Sequence, residues 1–135
     1  MYWQKSAIKK LFPFIFLIME FKALGHGESK PGPNGGHVRM PGAFHTELVS
    51  AGDKKAFKIF LLDLSFNSPL VKKSSVKLEY SGSYNAQAIC KPAKDFFDCQ
   101  FKSPIPQDVG VLKVSATRQG IKGAVAEYQL PLKFQ

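Results

Sequence analysis

Short segments of alternating polar and apolar residues, each bounded by turn residues, constrain the fold of this chain more than any other feature. In SSVKLEYS (74–81), Val76, Leu78 and Tyr80 alternate with polar residues, and GVLKVSATR (110–118) repeats the pattern. A period of two places successive side chains on opposite faces of a strand. No window of about 11 residues or more follows the helical period. The sequence therefore predicts strands.

The spacing of these segments indicates the fold class. Seven or eight of them follow one another, with turn residues about every 8–12 positions, as in all-β sandwiches and barrels. We predict an all-β fold, an antiparallel immunoglobulin-like β-sandwich of about seven strands. A small closed barrel is the alternative.

Residues 1–25 have the organisation of a secretory signal peptide. Lysines come first, the apolar run LFPFIFLIM (11–19) follows, and the small residues Ala23 and Gly25 end the segment. The apolar run is shorter than the roughly 20 residues that a membrane-spanning helix needs. We predict cleavage after Gly25, export to the periplasm or the medium, and no stable membrane span in the mature chain. An uncleaved anchor is the alternative.

Two further units follow the signal peptide. HGESKPGPNGG (26–36) is almost entirely glycine, proline and polar residues, which predicts a flexible arm. Residues 37–135 contain all the strand-like segments and form the predicted β-sandwich domain.

The basic charge of the chain does not indicate nucleic-acid binding. Lys and Arg number 19 against 10 Asp and Glu, a net charge of +9. Four of those cations and one acid lie in the signal peptide, so the mature chain would carry +6. The remaining cations alternate with apolar residues along strands, and no basic and aromatic residues interleave as in a base-stacking surface. We expect no nucleic-acid partner.

The two cysteines predict a disulfide. Cys90 and Cys99 flank KPAKDFFD, which has a turn signal at Lys94-Asp95 between two strand-like runs. Thiols of exported proteins usually pair, and this loop length corresponds to about 2–3 kcal/mol in the chain-entropy model. Thiolate ligation of copper or zinc is the alternative.

No motif for catalysis is present. The chain has no G-x-S-x-G and no H-E-x-x-H segment, and nothing nominates a pair of carboxylates that share a cleft. We expect that the protein is not an enzyme and has no catalytic residue.

The histidines indicate a metal site instead. His26, His37 and His45 are the only histidines, and Met40 and Glu47 lie beside them. Imidazole with thioether favours copper, whereas imidazole with carboxylate equally suits zinc. We predict that these five residues bind a metal ion, which is copper or alternatively zinc. After cleavage at Gly25, His26 would offer its amine and its imidazole to one ion.

The turn after Met40 decides which side chains share a face. A two-residue loop would place Met40 and Val38 on the face of His45, and a three-residue loop would place His37 there. Pro41-Gly42 favours an ordinary type II turn, which two-residue hairpins avoid. We therefore predict the three-residue loop and a cluster of His37, His45 and Glu47.

The segment HGESKPGPNGGHVRMPGAFHTELV (26–49) resembles the start of small exported bacterial domains of the YtkA/CopC-like kind. The resemblance implies an immunoglobulin-like sandwich associated with periplasmic copper, with Cu(II) ligands at His26 and one later histidine. The common motif has histidine where this chain has Asn34. No methionine-rich loop for Cu(I) is present, so Cu(II) is the expected state.

These observations predict an exported copper-binding β-sandwich that acts as a carrier, buffer or accessory in metal homeostasis. The alternative is a module that binds no metal and pairs with a protein of the cell envelope through a sheet edge or a basic face. Convergence of the histidines in the fold distinguishes the two, because a module would leave them dispersed.

Overall fold

A computed structural model describes residues 29–134. These residues form no helix and ten strands: β1 (His37–Arg39), β2 (His45–Ser50), β3 (Ala56–Leu62), β4 (Ser75–Ser81), β5 (Asn85–Gln87), β6 (Ile89–Ala93), β7 (Phe96–Gln100), β8 (Val111–Arg118), β9 (Ile121–Lys122) and β10 (Ala126–Gln129). No helix in this part of the chain is long and apolar enough to cross a membrane. The predicted signal peptide and His26 lie outside the described residues.

Two antiparallel sheets pack face to face. The first has the order β1-β2-β3-β7-β6, and the second has the order β10-β8-β4-β5 with β9 paired to β8. The predicted all-β antiparallel sandwich is confirmed. The structure has ten strands where about seven were predicted, and three of the ten, β1, β5 and β9, have three residues or fewer.

The alternation read from the sequence builds the core. In β4, Leu78 and Tyr80 are buried, and in β8 Leu112 and Val114 face them. Tyr128 of β10 reaches across to the first sheet, where its hydroxyl donates to the Thr46 carbonyl at 3.0 Å and bonds the Thr46 hydroxyl. Burial raises the pKa of Tyr128, so the hydroxyl keeps its proton for this bond.

One strand changes sheets in the middle. Ala88, between β5 and β6, still donates its N–H to the Leu78 carbonyl of the second sheet at 2.9 Å. The next residue, Ile89, already pairs with Gln100 of the first sheet. The same stretch of chain therefore forms the outer strand of both sheets on this side of the sandwich.

The predicted disulfide is present. Cys90 of β6 and Cys99 of β7 are bonded and directly opposite each other. The hairpin between them turns at Lys94-Asp95, where Lys94 has a φ of 47°. The disulfide holds the outermost strand of the first sheet to its neighbour.

Candidate functional site

Glu47 is a structural anchor in the fold. Its side chain is fully buried, and its carboxylate accepts hydrogen bonds from the Asn34 N–H at 2.9 Å, the Asn34 amide group at 2.9 Å and the Gly36 N–H at 2.8 Å. Among residues 29–134 the only ion pair is between Lys77 and Glu79. Glu47 is therefore held by hydrogen-bond donors of the arm, and these bonds offset the loss of water.

The arm that binds Glu47 is folded where it can be described. The N–H of Gly32 donates to the Gly36 carbonyl at 2.8 Å, and the N–H of Gly35 donates to the Gly32 carbonyl at 2.9 Å. A Cβ on Gly32 would lie 2.5 Å from the Glu47 carboxyl carbon. Only glycine allows the chain to pass this close to the carboxylate, and residues 32–36 of the predicted arm form a turn over Glu47.

His45 is also engaged within the fold. It is 4% exposed, and its ring stacks on Phe66 with 4.1 Å between centroids. Nδ1 donates to the Asp63 carbonyl at 3.0 Å, because a carbonyl oxygen can only accept. The contact ties the start of β2 to the turn that follows β3.

His37 lies elsewhere. Its ring stacks on Phe134 with 4.0 Å between centroids and an interplanar angle of 7°. Burial, with a contribution from Arg39, lowers the pKa of His37, and a hydrogen bond with the Lys133 backbone acts in the opposite direction. The ring is therefore neutral at neutral pH and holds the C-terminal residues against β1.

The predicted cluster of His37, His45 and Glu47 is wrong. His37 pairs with Leu48 and Val38 pairs with Glu47. Opposite residues of antiparallel strands share a face, so His37 faces the core side with Leu48, away from His45 and Glu47. The loop between β1 and β2 comprises the five residues 40–44 instead of the expected three, 41–43.

The physical reason for the longer loop is Phe44. Its side chain is 1% exposed and belongs to the hydrophobic core. A three-residue loop would have kept Phe44 in the ladder opposite Met40. In the observed register Met40 lies on the same face of the sheet as His45, and Met40 is 59% exposed. No group of three or more His, Cys, Asp or Glu within residues 29–134 is arranged to hold a metal ion.

The sheet edges are a feature that sequence reasoning did not locate. On one side of the sandwich β1 and β10 are neighbours. Arg39 bridges them by donating to the Glu127 carbonyl of β10 at 2.9 Å, and its guanidinium lies 4.7 Å from the centre of the Tyr128 ring. Arg39 also donates to the Val38 carbonyl of β1 at 2.9 Å, so its guanidinium binds a carbonyl of each edge strand. Phe134 lies beside them, where its ring stacks on His37.

On the other side, β6 is protected by its sequence. The Cα atoms of Cys90 and Cys99 are 3.9 Å apart, as suits a pair that does not exchange ladder hydrogen bonds. In an antiparallel ladder such pairs alternate, so Cys90 and Pro92 direct their backbone groups away from β7. Pro92 has no N–H there, which prevents regular pairing with a further strand.

The edge of β5 has neither protection. The Ala88 N–H donates to the Leu78 carbonyl, and the Gly82 N–H donates to the Tyr84 carbonyl. Hydrogen-bonded and non-hydrogen-bonded pairs alternate along an antiparallel ladder. The backbone groups of Ala86 therefore point toward β4, and those of Asn85 and Gln87 point away from it. The outward N–H and C=O groups of Asn85 and Gln87 have no hydrogen-bond partner in the described part of the chain. Both residues are exposed.

A polar cleft adjoins this edge on the outer face of the second sheet. It has a volume of about 410 Å³ and includes Glu79, Ser81 and Lys113 beside the two edge residues. Gln87, Glu79 and Lys113 form one row across β5, β4 and β8. The cleft offers an amide, a carboxylate and an ammonium group to polar groups of a ligand.

Comparison of this chain with protein-family models, with curated proteins and with solved structures finds no match. The resemblance to YtkA/CopC-like domains therefore stays a prediction.

Glu47→Gln tests the anchor. The carboxylate accepts hydrogen bonds from N–H groups of the arm. In the variant, the NH₂ group of glutamine would face one of these N–H donors, so a buried donor would lose its acceptor. We expect a loss of about 1–3 kcal/mol in the free energy of unfolding, measured by urea denaturation. Glu127→Gln, at an exposed position, is the control and should change the midpoint little. Equal midpoints for the two variants would contradict the anchor.

Cu(II) titration of the exported form tests the placement of the histidines. We expect His37→Ala to change the affinity for Cu(II) less than about twofold. The His37 ring lies on the opposite face of the sheet from His45 and stacks on Phe134. If the signal is cut at Gly25, His26→Ala removes the amine-imidazole chelate and weakens binding. A loss from His37→Ala as large as that from His26→Ala would show that His37 is a ligand after all.

Proposed function

We propose that this protein is an exported β-sandwich module that pairs with a protein of the cell envelope through the edge of β5. The observation that carries the proposal is the difference between the edges: Arg39 lies between β1 and β10, Pro92 interrupts β6 and β9 has only two residues. The outward backbone groups of Asn85 and Gln87, by contrast, have no hydrogen-bond partner within residues 29–134. An unpaired edge is a template for an added strand. His37 and His45, the two histidines in the described residues, lie on opposite faces of the first sheet, which also favours a module over a metal carrier.

The surroundings of β5 limit what can bind. Tyr84 lies at one end of the edge and Ile89 at the other, and both are exposed, Ile89 at 69%. Pro92 prevents continuation along β6. The partner segment is therefore short and extended, with apolar groups near its ends. Polar side chains facing the cleft could bond Glu79 and Lys113.

Export is part of the proposal. The N-terminal 25 residues read as a signal peptide, and the Cys90–Cys99 disulfide fits an oxidising compartment. A periplasmic or secreted location follows.

Copper carriage is the second candidate, and one observation favours it. Because Nδ1 of His45 donates to the Asp63 carbonyl, Nε2 is the ring nitrogen left to bind a metal ion. A histidine oriented by a backbone carbonyl is a common arrangement at metal sites. His26 would supply the remaining donors, with Met40 as a weak ligand on the same face. Cu(II) is the expected ion, and zinc is the alternative.

Gln87→Pro tests the module. It removes the outward N–H of the β5 edge, as Pro92 does naturally in β6, and leaves the ladder with β4 intact. With a photo-reactive residue in place of Tyr84, we expect the exported protein to form a discrete protein adduct in the cells that produce it. Gln87→Pro should abolish that adduct, and Gln87→Ala, which keeps the N–H, should preserve it.

Two results would contradict pairing at this edge. One is the absence of any adduct with the unsubstituted edge. The other is an adduct that survives Gln87→Pro in a protein that unfolds at the same urea concentration as the parent.

A further inference from the structure

One end of the sandwich combines exposed apolar side chains with exposed lysines. β2 and β4 begin there and β3 and β8 end there, because His45 pairs with Leu62 and Ser75 pairs with Thr117. The loops of this end are 40–44, 63–74 and 119–125, together with the β6–β7 turn. We name this surface the apolar–cationic end.

Hydrogen bonds hold its loops together. Arg118, at the end of β8, donates to the Leu61 carbonyl at 3.4 Å and to the Ser68 carbonyl at 2.8 Å. The N–H of Ala124 donates to the Pro41 carbonyl at 2.9 Å. These bonds cross between the two sheets, so the loops form one connected surface.

The apolar members of this end are unusually exposed. Met40 is 59% exposed, and Leu64, Ile121 and Val125 are each 54% exposed. These are four of the eight large hydrophobic residues exposed among residues 29–134. Single exposed apolar residues need no explanation, but four around one end indicate contact with an apolar environment.

The charges at this end are mostly positive, because four lysines lie in its loops against two acids, Asp63 and Asp95. Lys72, Lys73 and Lys122 are exposed. The Asp63 carboxylate is engaged by the N–H groups of Asn67 and Ser65, both at 2.9 Å. These backbone bonds, that of Asn67 first, hold the pKa of Asp63 below its usual range. The remaining acid, Asp95, has Lys94 beside it in the β6–β7 turn.

We infer that the apolar–cationic end docks on the surface of an anionic lipid bilayer. The exposed apolar side chains would enter the headgroup region while the three lysines bind lipid phosphates, the combination that retains proteins at anionic membranes. A purely apolar patch would not require the lysines, and lysines alone would give only salt-sensitive attraction. The β5 edge lies on the side of the sandwich and stays accessible, so the inference is independent of the proposed function.

The opposite end provides a matched comparison. Lys54, Lys55 and Lys102 lie there, with Asp53 and Asp108 in the same loops. Reversing three lysines at either end changes the net charge of the protein equally. Within residues 29–134, the loops of the opposite end carry two exposed large apolar side chains, Tyr84 and Val109, against four at the apolar–cationic end.

Vesicle flotation of the exported form tests the inference. Vesicles of phosphatidylglycerol and phosphatidylcholine in equal parts should carry the protein, and phosphatidylcholine vesicles should carry much less. Lys72→Glu, Lys73→Glu and Lys122→Glu together should lower partitioning at least about tenfold. The matched triple reversal of Lys54, Lys55 and Lys102 should lower it less than about threefold. All variants share one N-terminus, so any contribution of residues 1–28 cancels.

Leu64→Ser with Ile121→Ser separates insertion from simple attraction. We expect this pair to weaken binding at high salt as well as at low salt, because apolar insertion is not screened. Equal losses from the two lysine triples would show non-specific attraction and overturn the inference. A protein that does not bind anionic vesicles would also overturn the inference. This holds even if the apolar–cationic end is found to crosslink to another protein. Circular dichroism of each variant confirms that it is folded.

Discussion

The need to satisfy backbone N–H and C=O groups at the sheet edges governs much of this structure. A sandwich of two open sheets has outer strands with unpaired backbone groups. These groups are bound by other parts of the chain, are removed where proline replaces an N–H donor, or remain available to another strand. Here β1 and β10 lie together with Arg39 between them, β6 carries Pro92, and a single strand serves as the edge of both sheets near Ala88. The disulfide secures that strand to β7. Within residues 29–134 the unpaired edges that remain are the three-residue β5 and the two-residue β9.

The same structure explains the polar residues near the N-terminus. Glu47 binds the turn at Gly32–Gly36, His45 binds the Asp63 turn, and His37 holds the C-terminal residues. Each of these side chains fixes a peripheral segment onto the first sheet. In the described residues they stabilise the fold, so a metal function would depend on His26 together with the free nitrogen of His45.

Local patterns in the sequence predicted the strands, the Cys90–Cys99 hairpin and the sandwich, because alternation and turn residues report on burial and chain reversal within a few positions. The register of the first hairpin could not be predicted this way. Phe44 leaves the ladder for the core, and that choice depends on the space beside Gly123, which is distant in sequence. The partner of Glu47 and the unprotected edge likewise depend on which strands become neighbours. An acid within a predicted strand, preceded by a glycine-rich segment, was the signal that the sequence offered for the anchor.

Native-state hydrogen exchange of the exported protein, followed amide by amide, tests the open edge most directly. The amides of Asn85 and Gln87 should exchange rapidly, while those of Ala86 and Ala88, which face β4, should be protected. Strong protection of Asn85 and Gln87 in the isolated protein would contradict the open edge, because it would mean that the groups assigned to a partner are already bonded.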